Sequence, residues 1–255
     1  MPSNRDRDND LALSAQDLPE IVRKVRARTP ARLLVGRAGA TYRTATQLEL
    51  REAHAAARDA VRAELNPERD FGSDFVQRWH LFEARTRATV KNEYLLRPDL
   101  GRLFDDESRA ALKTGGPAAC DFQVAIGDGL SVAAVKAQAP PLLPLLYQGA
   151  QERRWQFGRV LLIHHCRVGI LNEIGELLNP RVAVLLIGER PGLATAESLS
   201  AYMAYQPRAT HTDANRHVIS NIHARGLDPH QAAIRILALA ARLMNPLTNG
   251  TPLPA

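Results

Sequence analysis

RVAVLLI, residues 181–187, is an unbroken apolar run of strand length, closed by Gly188. It lacks the alternation of a half-exposed strand, so it reads as a strand covered on both faces, as in a parallel sheet. Two runs of the same character precede it, FQVAI (122–126) and RVLLI (159–163). The pieces between the runs are too long for hairpins and the right length for crossovers. PPLLPLLYQGAQERR (140–154) supplies one helix, and GILNEIGELLN (169–179), stopped at Asn179-Pro180, supplies another. A last helix fits 229–244, with Asp228 as N-cap, Pro229 at the first helical position and Gln231 at the third. The expected fold class is therefore α/β, a Rossmann-like, mostly parallel sheet flanked by helices. It occupies residues 115–255, beginning at the breaker Gly115-Gly116-Pro117.

Upstream the pattern changes. Residues 1–14 open on the charged stretch MPSNRDRDND (1–10), which no apolar h-region follows, and read as a disordered tail. Residues 15–114 read as a mainly helical region with one short strand at most. DLPEIVRKVRA (17–27) has an acidic start and apolar residues at helical spacing. The brief apolar run ARLLVGRAG (31–39) is broken at Gly36 and Gly39. A long helix is expected over 44–64, with Thr44 and Gln47 spaced as a capping box and Asn66-Pro67 as its end. A second is expected over 73–90, with Ser73 as N-cap.

Composition narrows the function classes. The chain has 255 residues, enough for one domain with an appendage or two small ones. It has no run of eighteen apolar residues and no secretory signal, so a cytoplasmic location with two reduced cysteines, Cys120 and Cys166, is expected. The net charge is +6, and of the 33 basic residues all but four are Arg. Nucleic-acid binding is the class such a charge suggests. However, the Arg residues are scattered among acids and aromatics are only 5%, a poor base-stacking surface. Arg forks at a protein interface suit the same composition.

Open parallel sheets bind ligands beyond the carboxyl ends of their strands. After the first run comes Gly127-Asp128-Gly129-Leu130-Ser131, after the second His164-His165-Cys166-Arg167-Val168-Gly169, and after the third Gly188-Glu189-Arg190-Pro191-Gly192. All three turns join polar side chains to glycine, and this topology brings them to one edge. Bland readings stand beside each. Asp128 and Ser131 suit helix capping, and Glu189-Arg190 suits a surface ion pair of little worth. A charged pair between glycines at the tip of the most apolar strand nevertheless favours a functional Glu189. His164-His165-Cys166 has the residue types of a metal site, but neighbouring side chains on extended backbone diverge and no carboxylate completes the spacing. GDGLSV and GERPGL both depart from the dinucleotide fingerprint.

The stretch RVAVLLIGERPG (181–192) with LATAESLSAYMAY (193–205) resembles the small subunit of ethanolamine ammonia-lyase. SNIH (220–223), preceded by T-D-A-N-R (212–216), fits the same family. So do YLLRPDLGR (94–102), the DGLS turn (128–131), GRAG (36–39) and GILNEIGELL (169–178), in the same order, and the match runs from about residue 15 to the C-terminus.

The resemblance implies an adenosylcobalamin-dependent enzyme that deaminates ethanolamine and related vicinal amino alcohols to an oxo compound and ammonia. It implies a large TIM-barrel subunit that holds the substrate, with this chain covering the cofactor at the interface of a heterooligomer. In some bacteria the family's enzyme resides in a microcompartment. Residues 115–255 then become the cobalamin-binding domain. The family's cofactor contacts fall on Val168, Glu189 and Val218, the last a position where some relatives carry Cys. No catalytic acid, base or nucleophile is expected in this chain, because the radical chemistry belongs to the cofactor. Asp228-Pro229-His230 imitates the start of a cobalt-ligating D-x-H-x-x-G motif, but Ala233 stands where Gly belongs. The resemblance implies that the cofactor keeps its own base on cobalt, so no metal ligand is expected here. The alternative is a stand-alone cobalamin- or nucleotide-binding module without a catalytic partner.

Overall fold

The computed structural model of the chain describes residues 19–28, 37–115, 119–192 and 195–245. The expected tail over 1–14, the apolar run up to Gly36, and Gly116-Pro117 of the breaker lie outside them. In chain order the first elements are α1 (Glu20–Arg28), β1 (Arg37–Ala38), β2 (Thr41–Tyr42) and α2 (Thr44–Arg62). The short strands β1 and β2 pair antiparallel with each other. The helix α2 starts without the expected capping box. Arg43 takes the N-cap position and makes no side-chain cap bond, so Thr44 is already helical, one residue too late for its hydroxyl to cap. Asn66-Pro67 opens α3 (Pro67–Phe71), where the Asn66 side chain accepts from the Arg69 amide at 2.9 Å.

The helix expected over 73–90 is cut to α4 (Ser73–Trp79), and its N-cap is Gly72 rather than Ser73. The Ser73 hydroxyl donates instead to Glu68 at 2.6 Å. His80, in the left-handed region at φ 44°, stops the helix, and β3 (Phe82–Arg85) follows. Pairing with a later strand decides this segment. Phe82 to Arg85 run parallel to Leu161 to His164, and ladder bonds to an existing sheet edge outweigh local helical preference. With β1, β2 and β3, the region 15–114 holds more strand than the single one expected.

Next come α5 (Lys91–Leu96), α6 (Asp106–Gly115), β4 (Phe122–Gly127), α7 (Val132–Glu152), β5 (Leu161–His164), α8 (Ile170–Leu178) and β6 (Val182–Gly188). Then follow β7 (Leu199–Tyr205), β8 (His217–Ile222) and α9 (Pro229–Met244). The main sheet has the order β3-β5-β4-β6-β7-β8. The first four of these strands are parallel, and β7 and β8 extend the sheet as an antiparallel meander. The three apolar runs are thus β4, β5 and β6 at its centre. Every residue of each is buried, as strands covered on both faces require.

One face carries Val124, Ile126, Leu162, Val184, Leu186, Ala201 and Met203 against α7 and α9. Three prolines, Pro140, Pro141 and Pro144, lie inside α7. Burial of Leu142, Leu143 and Leu146 against the sheet works against the loss of the three amide donors. The other face carries Ala125, Leu161, Ile163, Ala183, Leu185 and Ile187 against α8 and α6, with Tyr202 of β7 at its margin. The antiparallel strands therefore leave part of this second face uncovered beside α8.

Candidate functional site

The site is organised by Asp128, which follows β4 and is fully buried. Its carboxylate accepts the amides of His165 at 3.0 Å and Cys166 at 2.9 Å, and the Lys91 ammonium lies 3.4 Å away. The Thr86 hydroxyl donates to the His165 carbonyl, and the Tyr94 phenol to the Cys166 carbonyl, each at 2.9 Å. The turn after β5 is therefore fixed from three sides. Burial, then the charge of Asp128, raises the Tyr94 phenol far above its ordinary value and the Cys166 thiol well above its own. Both stay protonated, and neither is a nucleophile in this setting.

The turn after β4 is also bound to the turn after β6. The Leu130 amide donates to the Gly188 carbonyl at 3.0 Å. Gly129 has φ +55°, and a Cβ there would stand 2.4 Å from that same carbonyl oxygen. Glycine here serves the approach of one turn to another, as well as the left-handed backbone. Ser131 caps α7 by accepting from the Ala134 amide. Asp128 and Ser131 accordingly do structural duty, and the three turns meet as the sheet topology requires.

Beside this hub, between α8 and the β7–β8 meander, lies an open cavity of about 830 Å³. Val168 and Val218 both line it, with Tyr202 between them on the sheet side. Tyr202 and Val218 are register partners on adjacent strands, which places both side chains on one face. Pro98 and Leu103 add apolar wall, and Asn172 and Arg167 add donors. Val218 is 50% exposed, a large apolar side chain open to a ligand or a partner.

Glu189 does not line this cavity. It lies in an adjoining hollow of about 460 Å³ with Arg190, Ser198, Ser220 and His223. Tyr202 joins the two spaces: it lines the cavity, and its phenol donates to Glu189 Oε1 at 3.2 Å. Sequence reasoning passed over Tyr202, Asn172 and the arginines of the cavity wall. The alternation in β7, where the inward Ala201 and Met203 flank Tyr202, is the signal that could have found the first.

The residues with metal-ligand chemistry go elsewhere. His164 Nε2 faces Glu83 at 3.2 Å, and His165 lies between the Ala88 carbonyl at 2.8 Å and Glu64 at 3.0 Å. Glu64, Asp128 and His165 do bring ligand atoms within 4.8 Å of one another. The Lys91 ammonium already supplies the cation in that cluster, and Asp128 is committed to two amides. Asp128, His165 and Glu64 are thus a hydrogen-bonded brace. At the last helix, Asp228 accepts from the amides of His230 and Gln231, so the D-x-H triplet is an N-cap. Among the described residues no helix is long and apolar enough to cross a membrane.

The model of the family described as Ethanolamine ammonia-lyase light chain (EutC) matches residues 19–253. A protein of Listeria monocytogenes described as ethanolamine ammonia-lyase small subunit is 40% identical over 230 residues, covering 90% of this chain and 76% of the relative. A Clostridium perfringens protein of the same description has the same identity and coverage. One from Fusobacterium nucleatum is 37% identical over 252 residues, covering 94% of this chain and 83% of its own length.

Proposed function

The chain belongs to the ethanolamine ammonia-lyase light-chain family, and on that premise we propose that it covers adenosylcobalamin at an interface with a large TIM-barrel subunit. The reaction proposed is deamination of ethanolamine and related vicinal amino alcohols to an oxo compound, acetaldehyde from ethanolamine, plus ammonia. The substrate would be held mainly by the partner, and this chain alone would not turn over. Its place is the cytoplasm, or a microcompartment where the organism builds one. Residues 115–255 supply most of the cobalamin-bearing domain in this reading, and 15–114 adds to it β3 of the sheet and Pro98, Arg102, Leu103 and Arg109 of the cavity wall.

One observation carries the proposal: Val168 and Val218, distant in sequence, meet on one open cavity to which Tyr202 ties Glu189. A corrin has flat apolar surface edged by amides, and wants apolar walls with a few placed polar groups. The residues present fit that demand. Val168, Leu103 and Val218 would pack against the ring, while Asn172, Tyr202 and Glu189 would meet its amides. The wall of the cavity also holds buried donors with no acceptor among the described residues, such as Arg167 Nε, as a site built for a polar guest would. Bound adenosylcobalamin supplies a cobalt–carbon bond as the source of radicals. This chain's residues bind it, orient it and keep water from one side.

The test is co-expression with a family large subunit. The purified complex with adenosylcobalamin is expected to release ammonia from ethanolamine, and the chain alone to release none. A complex that assembles but stays inactive beside a working control enzyme overturns the proposal.

A further inference from the structure

Four arginines stand on the wall of the 830 Å³ cavity: Arg102, Arg109, Arg167 and Arg216. Arg109 pairs with Glu173 at 3.1 Å. Arg216, with its side chain only 8% exposed, pairs with Asp213 and donates to Asn172 at 3.1 Å, but its Nε has no hydrogen-bond partner among the described residues. Arg167 stacks 4.1 Å over the Tyr94 ring and donates to the Tyr94 carbonyl, and its Nε is likewise buried with no acceptor among the described residues. Neither Arg167 nor Arg102 forms an ion pair with a carboxylate of the described residues. Nδ1 of His211, on the same wall, is a further buried atom with no hydrogen-bond partner among the described residues.

The acids of this wall are already committed. Glu173 takes the Phe104 amide and Arg109, Glu176 takes the Ala209 amide, and Asp213 takes Arg216. Glu173 Oε1, although it faces Arg109, accepts no hydrogen bond among the described residues, but four guanidiniums stand against three carboxylates, so the balance of charge on this wall is positive. Gly169 and Asn172, at the N-terminal end of α8, line the same space, and that end of a helix favours negative charge. Guanidinium forks match phosphate oxygens in spacing and charge.

We propose that Arg102, Arg167 and Arg216 form a subsite for a phosphate-class anion on the wall of this cavity. Both orphaned Nε atoms are shielded from bulk water, so a bound oxygen, met by a small turn of each guanidinium, satisfies them where hydration does not. Two sources have this chemistry, the phosphodiester of cobalamin's nucleotide tail and inorganic phosphate. Assignment to the first rests on the cobalamin reading above; the anion site itself does not.

The test uses the complex of this chain with its large subunit, titrated with cyanocobalamin and with cobinamide, the corrinoid that lacks phosphate and nucleotide. Arg102→Gln changes an exposed side chain, and Arg167→Lys keeps the charge but removes the fork. Each is expected to weaken cyanocobalamin binding on the order of tenfold and cobinamide binding less than about twofold. Equal losses for both corrinoids, or no loss for either, overturn the phosphodiester assignment. In a second arm, inorganic phosphate is added without corrinoid and melting temperature is followed. Phosphate protection of the unmutated complex that Arg102→Gln abolishes supports the anion site with free phosphate as ligand. If the unmutated complex binds neither corrinoid, the cobalamin reading fails by itself. Absence of phosphate protection in that case ends the anion site too.

Discussion

Tyr202 donates its phenolic proton to Glu189 at 3.2 Å, and this bond joins the cavity that Tyr202 lines to the hollow that holds Glu189. Burial, then the charge of Glu189, raises the Tyr202 phenol above its ordinary value, so it remains a donor throughout the physiological range. Glu189→Gln keeps the shape but removes the charge. It is expected to weaken cofactor affinity on the order of tenfold while leaving the melting temperature nearly unchanged. Cofactor titration beside thermal melting checks this. Unchanged affinity with a clear loss of stability would make Glu189 a structural residue.

The brace around Asp128 is expected to behave as a buried ion pair. Asp128→Ala strands Lys91 and two amides, a loss of about 3–5 kcal/mol in urea unfolding. Lys91→Met leaves the carboxylate its two amides and should cost less. Combining Lys91→Met with Asp128→Ala should cost less than the sum of the two single changes, since each single change leaves the other charge without its counter-ion. Strict additivity would mean that the pair is not coupled.

Gly129→Ala tests the contact between turns. It places a methyl group against the Gly188 carbonyl and holds alanine at φ +55°. A loss of more than about 1 kcal/mol is expected in the same unfolding measurement. A neutral result would mean that the two turns separate without cost.

His223 gives a pH dependence. Burial, then the charge of Arg225, lowers its folded-state value below the ordinary 6.5, and its Nδ1 accepts the Arg225 amide only when unprotonated. Burial, then Arg242, lowers His217 in the same direction. Both groups are therefore neutral in the fold at pH values where the unfolded chain binds protons. Their stabilising contribution is present above 6.5 and is lost as pH falls below it. Melting temperature should decline on going from pH 7.5 to 5.5, and His223→Gln should flatten that decline. An equally steep decline in the variant would remove His223 from the account.

Much of this architecture was legible in the chain. The runs in β4, β5 and β6 announce themselves because strands buried on both faces need no polar positions, and Asp228-Pro229 marks the start of α9 by its capping chemistry. FEAR in β3 and HVISNI in β8 carry no such mark. Edge strands are half exposed, and their identity comes from the neighbour that pairs with them. The same reason hides the cavity. Val168 can be placed at the tip of β5 from the sheet rule, but Val218 reaches it only because β8 doubles back along β7. Arg167, Arg216 and Tyr202 belong to the wall through long-range packing, which composition does not register.

The sheet begins and ends with its outermost members: β3, first of its strands in the chain, borders β5, and β8, the last, forms the opposite rim. A fragment starting near residue 119 would keep the cavity's strands yet bare the β5 backbone along the all-buried residues Leu161 to His164. Such an open parallel border invites pairing between molecules. Anyone trimming this chain to the part that holds the cavity should therefore retain Phe82–Arg85, or expect the shortened product to stick to itself.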